Sequence, residues 1–195
     1  MGTNPKVIVL AGPNGAGKST AAPQLLIDTS ITEFVNADVI AAEISPQNPE
    51  SAAVRAGRIM LNRLDELAGQ RISFAFETTL SGRGFASLLE KLIGTGYELH
   101  LVYLWVESPD ISIDRVSQRV VKGGHSVPVE TIRRRYEGGL RNLFELYLPL
   151  AIRWQIMDNT VGQLLEVASG RYLESVIVYQ PKQWETINAL ARSAR

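Results

Sequence analysis

The chain has 195 residues, of which 45% are hydrophobic and 21% are charged, values typical of a soluble globular protein with one α/β domain. Its 20 basic residues balance its 20 acidic ones, which argues against a general attraction to nucleic acid or to an anionic membrane. The absence of cysteine excludes disulfides, thiolate metal sites and thiol catalysis.

Predicted strands and helices alternate along the chain. Residues 7–11 form an apolar run typical of a buried parallel strand. The run is too short for a signal peptide or a membrane span, so we expect a cytoplasmic protein. Further strands are predicted at 34–35, 72–76, 99–106 and 154–157, and another apolar stretch lies at 175–179. Helices are predicted from 18, at 39–44, 52–68, 85–93, 110–121 and 129–148, and from about 184.

The loop after the first strand matches the phosphate-binding motif GxxxxGK[ST] in full. Its glycines permit backbone angles that turn N–H groups toward phosphate oxygens, and the following helix adds its positive N-terminal end. Lys18 would reach the β- and γ-phosphates, and the Ser19 hydroxyl would bind magnesium. The residues predicted to bind ATP or GTP with Mg²⁺ are Gly12, Pro13, Asn14, Gly15, Ala16, Gly17, Lys18, Ser19 and Thr20.

The alternation of elements around this loop predicts an α/β fold with three layers, of the P-loop NTPase class. We expect a mostly parallel sheet of about five strands, with helices on both faces and right-handed crossovers. No repeat or linker divides the sequence, so residues 1–195 are interpreted as a single domain. Within it we expect a helical lid at about 110–135 and a C-terminal extension at about 170–195.

Two carboxylates follow predicted strands, Asp38 after the second and Glu77 after the third. Ligands of open α/β sheets bind at the carboxyl ends of the strands, so both side chains are expected near the γ-phosphate. Asp38 is our candidate for the base that a kinase needs, and Glu77 with Thr79 would bind substrate hydroxyls or a magnesium-bound water. The alternatives are a helix N-cap for Asp38 and a salt bridge for Glu77. No strand ends in the usual Walker B aspartate, so magnesium is expected to depend on Ser19, phosphates and waters.

A cluster of basic residues surrounds the pair Gly123-Gly124. It consists of Arg115, Arg119, Lys122, His125, Arg133, Arg134 and Arg135. Arg115 and Arg119 are one helical turn apart, and arginines of a closing lid commonly stabilise a transferred phosphoryl group. At most one or two of the three consecutive arginines can enter a site, because neighbouring helix residues point in different directions. The alternative is a solvated helix face with salt bridges.

The segments GPNGAGKS, FVNAD, FETTLSG, DRVSQRVVKGGHSVP and MDN, in this order, resemble the zeta-toxin-like P-loop kinases over residues 6–160. The resemblance implies a nucleotide-kinase-like sheet with helices on both sides, and ATP with Mg²⁺ as the phosphate donor. The better-known members of that family phosphorylate UDP-N-acetylglucosamine on the sugar, and some are toxins that an antitoxin holds inactive. It therefore implies a small-molecule acceptor and a protein antitoxin as partners. The balanced charge and the lack of a long apolar segment lead us to expect no role for nucleic acid or membrane.

The resemblance also implies roles for residues at the donor and acceptor sites. Lys18 and Ser19 match the ATP and magnesium positions, and Asp38 matches the catalytic base. Glu77 and Thr79 match the motif that holds the sugar substrate.

Arginines and one asparagine complete the implied site. Arg115 matches a phosphate-clamping arginine, and Asn159 resembles a residue near the adenine, although Asp158-Asn159 is equally typical of a turn. The family's second lid arginine has no clean counterpart, and an arginine expected after the third-strand motif is displaced to Arg83, which would contact the substrate. The candidates to replace the lid arginine are Arg119, Arg134 and Arg135.

These observations support three hypotheses. The first is an ATP- and magnesium-dependent kinase that phosphorylates a hydroxyl of a small molecule, for which the resemblance implies a nucleotide sugar. The second is a kinase of the same fold for another acceptor, such as a simple sugar, an antibiotic or a polynucleotide end. The third is a non-catalytic module whose lid reports the nucleotide state.

Overall fold

The computed structural model describes residues 4–124, 126–172 and 175–193, so His125 of the basic cluster lies outside the described residues. Within these ranges, seven strands form one sheet. The strands are β1 (Lys6–Ala11), β2 (Glu33–Val35), β3 (Phe74–Thr78), β4 (Glu98–Trp105), β5 (Arg153–Asp158), β6 (Leu165–Arg171) and β7 (Ser175–Val178). The helices are α1 (Lys18–Leu26), α2 (Ala37–Ile44), α3 (Pro49–Gly69), α4 (Gly84–Gly94), α5 (Pro109–Val121), α6 (Val129–Asn142) and α7 (Pro181–Ser193).

The first strand lies near the middle of the sheet, whose strand order is β2-β3-β1-β4-β5-β6-β7. The first five strands in this order run parallel, and Leu10 of β1 lies opposite Glu77 of β3 and Val102 of β4. Parallel strands end at one edge of the sheet, so the loop after β1 has the ends of β2 and β3 on one side. The ends of β4 and β5 lie on its other side. The predicted α/β fold is confirmed.

Two antiparallel strands, β6 and β7, extend the sheet beyond the five parallel ones. The sequence indicates the second as an apolar stretch but gives no strand signal for the first, whose segment LEVASGR contains charges and a glycine. Gly170 has a packing reason, because a Cβ atom at this position would lie 2.5 Å from the ring of Trp154. Because Gly170 is required for packing, β6 carries a residue that weakens the usual sequence signal of a strand, and the sequence did not predict it.

Asparagine side chains fix the start of two helices earlier than the sequence predicts. The side chain of Asn36 accepts a hydrogen bond from the backbone N–H of Asp38 at 2.8 Å, so α2 begins at Ala37 instead of 39. Asn48 caps α3 in the same way, and Pro49 occupies the first helical position, which suits its fixed φ angle. The N-cap role considered for Asp38 is therefore wrong, since Asn36 holds it.

Other predicted boundaries shift by a few residues. The helix predicted at 129–148 is α-helical from 129 and ends at Asn142. A π-helical turn at Leu143–Tyr147 and a 3₁₀ turn at Leu148–Leu150 follow it. The last helix begins at Pro181 instead of 184, and β3 lies two residues later than predicted.

The main hydrophobic core joins one face of the sheet to α3, α4, α6 and α7. The indole rings of Trp154 and Trp184 stack with their centroids 6.1 Å apart, and Ile187 is fully buried, so α7 packs onto the core. A smaller cluster on the other face packs Ala22 and Leu25 of α1 against β1. Of the helices in the described ranges, none has the length and apolarity needed to cross a membrane.

Candidate active site

Three glycines give the phosphate-binding loop its conformation. Gly12, Gly15 and Gly17 have φ angles of 139°, 76° and 86°, a region that side-chain-bearing residues rarely adopt. A Cβ atom at the first would lie 2.2 Å from the carbonyl oxygen of Leu104, and one at the second would lie 2.6 Å from that of Ser112. The loop is therefore pressed against the end of β4 and against α5, and only glycine fits these two positions.

Lys18 lies buried at the base of this loop, with 6% of its surface exposed. Its Nζ donates a hydrogen bond to the carbonyl oxygen of Pro13 at 3.0 Å and lies 3.5 Å from Oε1 of Glu77. Burial lowers the pKa of Lys18, and the negative charges of Glu77 and Asp38 oppose this shift. The ammonium group is thus held in place by a carbonyl and a carboxylate at the position where phosphates would bind.

Glu77 joins the lysine to the predicted magnesium ligand. Its Oε2 accepts hydrogen bonds from the Ser19 hydroxyl at 2.7 Å and from the Asn36 amide at 2.9 Å. The sequence predicted that Glu77 binds either a substrate hydroxyl or a magnesium-bound water, and its hydrogen bond to Ser19 favours the magnesium position. The alternative of a salt bridge is also observed, because Glu77 pairs with Lys18. Sequence reasoning missed Asn36, although an asparagine between a strand and a helix is a typical N-cap signal.

The residues around Glu77 and Ser19 fit a magnesium ion. Among the described residues there is no group of three or more carboxylate or imidazole side chains that would hold a metal by itself. One hydroxyl and one carboxylate side by side are hard oxygen donors, and magnesium usually takes only one or two protein ligands beside phosphates and waters. Ser19 and Glu77 are therefore the side chains of this cleft whose chemistry fits Mg²⁺.

Asp38 stands in the first turn of α2 and is exposed to the same cleft. Its negative charge favours the protonated forms of Lys18 and Arg135, which places the carboxylate within electrostatic reach of both cations. A carboxylate that is accessible to solvent and faces the phosphate site is suitably placed to accept a proton from a bound hydroxyl.

Arg115 and Asn159 bind the backbone around the loop. Arg115 donates to the carbonyl oxygens of Asn159 at 2.8 Å, Thr160 at 2.9 Å and Gly15 at 3.4 Å. The Asn159 amide donates to the Ala16 carbonyl at 2.8 Å. Their side chains therefore tie the end of β5 to the phosphate-binding loop.

The segment after β5 forms a turn at Asp158-Asn159, which was one of the two predictions made for these residues. The carboxylate of Asp158 accepts a hydrogen bond from the backbone N–H of Thr160 at 2.7 Å. The Thr160 hydroxyl in turn accepts from the backbone N–H of Glu107 at 3.0 Å, which attaches the turn to the end of β4.

The three consecutive arginines point in three directions. Arg135 lines the cleft and donates to the Asn14 side chain at 3.3 Å, and burial lowers its pKa. Arg133 forms an ion pair with Asp110 at 2.7 Å, as the salt-bridge alternative expects. Arg134 is exposed and does not line the cleft. One of the three thus enters the site.

The predicted site residues meet in a cleft of about 1100 Å³ at the carboxyl edge of the sheet. Those that line it are Asn14, Gly15, Gly17, Lys18, Ser19, Thr20, Asp38, Glu77, Thr79, Arg115, Arg119, Arg135 and Asn159. Gly12, Pro13 and Ala16 belong to the loop but do not line the cleft. Arg83 is exposed at the start of α4 and also lies outside the lining, so the structure does not bring it to the site as the sequence predicts.

Comparison of the sequence with known proteins gives two findings. The sequence model of a family described as zeta toxin matches residues 1–161. An uncharacterized protein of Haemophilus influenzae is 32% identical over 131 residues, which make up 67% of this chain and 92% of that protein.

Two solved structures are similar in fold. A crystal structure of AvrRxo1-ORF1:-ORF2 with ATP matches with a TM-score of 0.77 and 18% identity over 95% of this chain and 64% of that chain. A structure of the PezAT chromosomal toxin–antitoxin system of the human pathogen Streptococcus pneumoniae matches with a TM-score of 0.65 and 16% identity, over 99% of this chain and 88% of that chain. The chain spans less than two thirds of the AvrRxo1 chain, and at these identities the similarity concerns the fold.

Proposed function

Since the chain belongs to the zeta toxin family, we propose that it is an ATP- and Mg²⁺-dependent kinase that phosphorylates a hydroxyl of a small molecule. The family and the fold support a phosphotransferase of the P-loop kinase type. The observation that carries the proposal is the position of Asp38, an accessible carboxylate across the cleft from a complete phosphate-binding loop. A protein that only binds nucleotide needs no such base.

Asp38 acts as the general base in this proposal. As the acceptor oxygen attacks the γ-phosphorus, its proton passes to the carboxylate, the bond from the γ-phosphorus to the bridging oxygen breaks, and ADP leaves. Lys18 neutralises the phosphate oxygens during transfer, while Mg²⁺ held by Ser19 and Glu77 supplies further positive charge when bound.

Cations above the loop stabilise the transferred group. Arg119 and Lys122 of the α5 end and Arg135 of α6 line the cleft, and Arg135 contacts the loop through Asn14. Phosphoryl transfer spreads negative charge over three oxygens, which several fixed donors can share. Arg119 and Arg135 are therefore proposed to replace the family's lid arginine.

The test is the variant Asp38→Asn, which keeps the shape of the side chain but cannot take a proton. We expect kcat for acceptor phosphorylation to fall by about 100- to 10,000-fold, while ATP affinity measured by calorimetry stays within about twofold. Lys18→Ala is the contrasting control, because it should lose ATP binding as well. Full transfer activity in Asp38→Asn would show that Asp38 is not the general base.

The acceptor panel for this test follows from the family. UDP-N-acetylglucosamine is the acceptor that the resemblance implies, and simple sugars and antibiotics are the alternatives. Labelled ATP with each candidate identifies the acceptor, since only a true one accumulates phosphate.

A protein antitoxin is proposed as a regulatory partner. The support is the similarity in fold to a structure of the PezAT toxin–antitoxin system and the zeta toxin family itself. A kinase that consumes a metabolite needed for growth would have to be inhibited in its own cell.

A further inference from the structure

One buried amide side chain lies between the two carboxylates of the cleft. Asn36 follows β2 and lines the cleft, but only 7% of its surface is exposed. Asp38, the proposed base, is exposed in the first turn of α2, and Glu77 lies near the end of β3. Because a buried amide forms hydrogen bonds with its surroundings, the partners of Asn36 show which groups it holds in place.

Each end of this amide has a partner of the matching kind. Its Oδ1 accepts a hydrogen bond from the backbone N–H of Asp38 at 2.8 Å, and its Nδ2 donates to Oε2 of Glu77 at 2.9 Å. If the amide were turned over, its oxygen would face the carboxylate and its NH₂ group would face a backbone N–H, so both contacts would become repulsive. The two neighbours therefore fix the orientation of Asn36, and this position needs a short side chain with both a donor and an acceptor.

The same amide orients the Ser19 hydroxyl. Its Nδ2 lies 3.4 Å from Oγ of Ser19, which itself donates to Oε2 of Glu77 at 2.7 Å. A hydroxyl has one proton and two lone pairs, so the contacts with Glu77 and Asn36 occupy the proton and one lone pair. The second lone pair remains for a further ligand, and an oxygen lone pair is what Mg²⁺ binds.

The start of α2 has few other contacts that would fix its position. β2, which precedes it, has three residues and pairs with β3 alone among the described strands. Ala41 is the one fully buried residue of α2, and it packs in a small cluster with Ala52 and Ala56 of α3. A short helix with so little buried surface depends on its cap for the position of its first turn, where Asp38 stands.

We propose that Asn36 is a positioning residue that holds Asp38 in register with the proposed Mg²⁺ position at Ser19 and Glu77. The inference rests on the proposed kinase function. In phosphoryl transfer the attacking oxygen must lie in line with the γ-phosphorus and the leaving oxygen, so a displaced base lowers the rate. Asn36 joins the element that carries the base to the side chains that would hold the metal, and it takes no proton itself.

The first experiment separates this bridging role from helix capping. Asn36→Ser keeps an N-cap acceptor, but its shorter side chain does not reach Glu77, and Asn36→Ala removes both contacts. Asn48 is the matched control, because its side chain caps α3 in the same way, at 3.3 Å from the backbone nitrogen of Ser51, and does not line the cleft. Loss of a cap lowers Tm by about 2–4 °C at either position, so kinetic and binding measurements must distinguish the two asparagines.

The readout of the first experiment is ATP binding by calorimetry, with and without Mg²⁺, which requires no acceptor. In Asn36→Ser we expect the factor by which Mg²⁺ increases ATP affinity to fall about tenfold, while the affinity without Mg²⁺ stays within about twofold. Asn48→Ser and Asn48→Ala should keep the wild-type factor within about twofold. A wild-type factor in Asn36→Ser would overturn the link between Asn36 and the Mg²⁺ position.

The second experiment tests whether Asn36 acts through Asp38. Turnover of labelled ATP is measured at saturating ATP and Mg²⁺, with UDP-N-acetylglucosamine and with water alone as acceptors, in Asn36→Ser, Asp38→Asn and the double variant. We expect Asn36→Ser to lower kcat by about 10- to 100-fold in the wild type but by less than about threefold in Asp38→Asn, because a base that is absent cannot be misplaced. An equal loss in both backgrounds would overturn the positioning role.

The outcomes separate this inference from the proposed function. If the wild type turns over ATP no faster than Lys18→Ala, the proposed function is wrong and the role toward Asp38 falls with it, while calorimetry still decides whether Asn36 supports Mg²⁺ binding. If turnover depends on Lys18 but the Asn36 and Asp38 variants are additive, the kinase function stands and Asn36 does not position the base.

Discussion

Replacing Glu77 by glutamine tests the charge at the centre of the proposed donor site. In the structure this carboxylate pairs with the buried Lys18 and accepts hydrogen bonds from Ser19 and Asn36. The variant Glu77→Gln has nearly the same shape, but its side chain has no charge and only one oxygen acceptor. It therefore separates the electrostatic contribution of Glu77 from its packing.

The expected loss of stability follows from the distance and the burial. At the 3.5 Å between Nζ of Lys18 and Oε1 of Glu77, and with an effective dielectric constant of about 20, the attraction is about 5 kcal/mol. Removing one member of a buried pair costs about 3–5 kcal/mol, and the amide oxygen can still accept from Ser19 or Asn36. We expect a loss of about 3 kcal/mol without nucleotide, which lowers Tm by about 6–12 °C.

Nucleotide binding should change in a direction that simple destabilisation cannot mimic. In the wild type the Glu77 carboxylate repels phosphates, so ATP without Mg²⁺ should raise Tm only slightly. In Glu77→Gln that repulsion is gone and Lys18 lacks its partner, so ATP alone should stabilise the variant more. Mg²⁺ should also increase the apparent ATP affinity of the variant by a factor about ten times smaller than in the wild type. This difference corresponds to about 1.4 kcal/mol of binding free energy.

Thermal melts and calorimetry with ATP, with and without Mg²⁺, measure these differences. Glu107→Gln is the matched control, because Glu107 also lies near a strand end but is exposed and does not line the cleft. An identical effect of Mg²⁺ on ATP binding in the wild type and in Glu77→Gln would falsify the assignment of Glu77 to the magnesium position.

Two further predictions concern the loop and the cell. Arg115→Lys keeps the charge but cannot reach three carbonyl oxygens, so we expect a loss of about 1–2 kcal/mol of stability and a higher ATP KM with little change in kcat. Melting and steady-state kinetics check this, and an unchanged ATP KM would contradict it. If the chain is a toxin, its expression should arrest growth and Lys18→Ala should not, and unimpaired growth with the wild type speaks against toxicity.

Local features of the site could be predicted from the sequence, because one short segment determines them. The loop residues from Gly12 to Ser19 are consecutive, and the strand before them and the helix after them have strong patterns of their own. The three left-handed glycines follow from the same motif. The sequence therefore predicted the position and the conformation of this loop without knowledge of the rest of the fold.

Contacts between distant segments could not be predicted in the same way. Arg115 and Asn159 are 44 positions apart, and only the packing of α5 against the end of β5 shows that the arginine binds backbone carbonyls there. The direction of Arg135 toward the cleft and of Arg133 toward Asp110 depends on the rotation of α6, which the sequence does not define.

The strand order supports different proposed tasks for the two carboxylates, of which Glu77 lies near the end of β3 and Asp38 in the helix after β2. β3 is the direct neighbour of β1, so Glu77 lies against Ser19 and Lys18, and we propose that it belongs to the donor site. β2 lies one strand further out, and Asp38 stands in the first turn of the helix that follows it. A base for the acceptor must reach a hydroxyl beyond the γ-phosphate and must not be the direct ion-pair partner of the loop lysine, a position that Glu77 holds. Only the outer position meets both conditions, which is why Asp38 and not Glu77 is the proposed base.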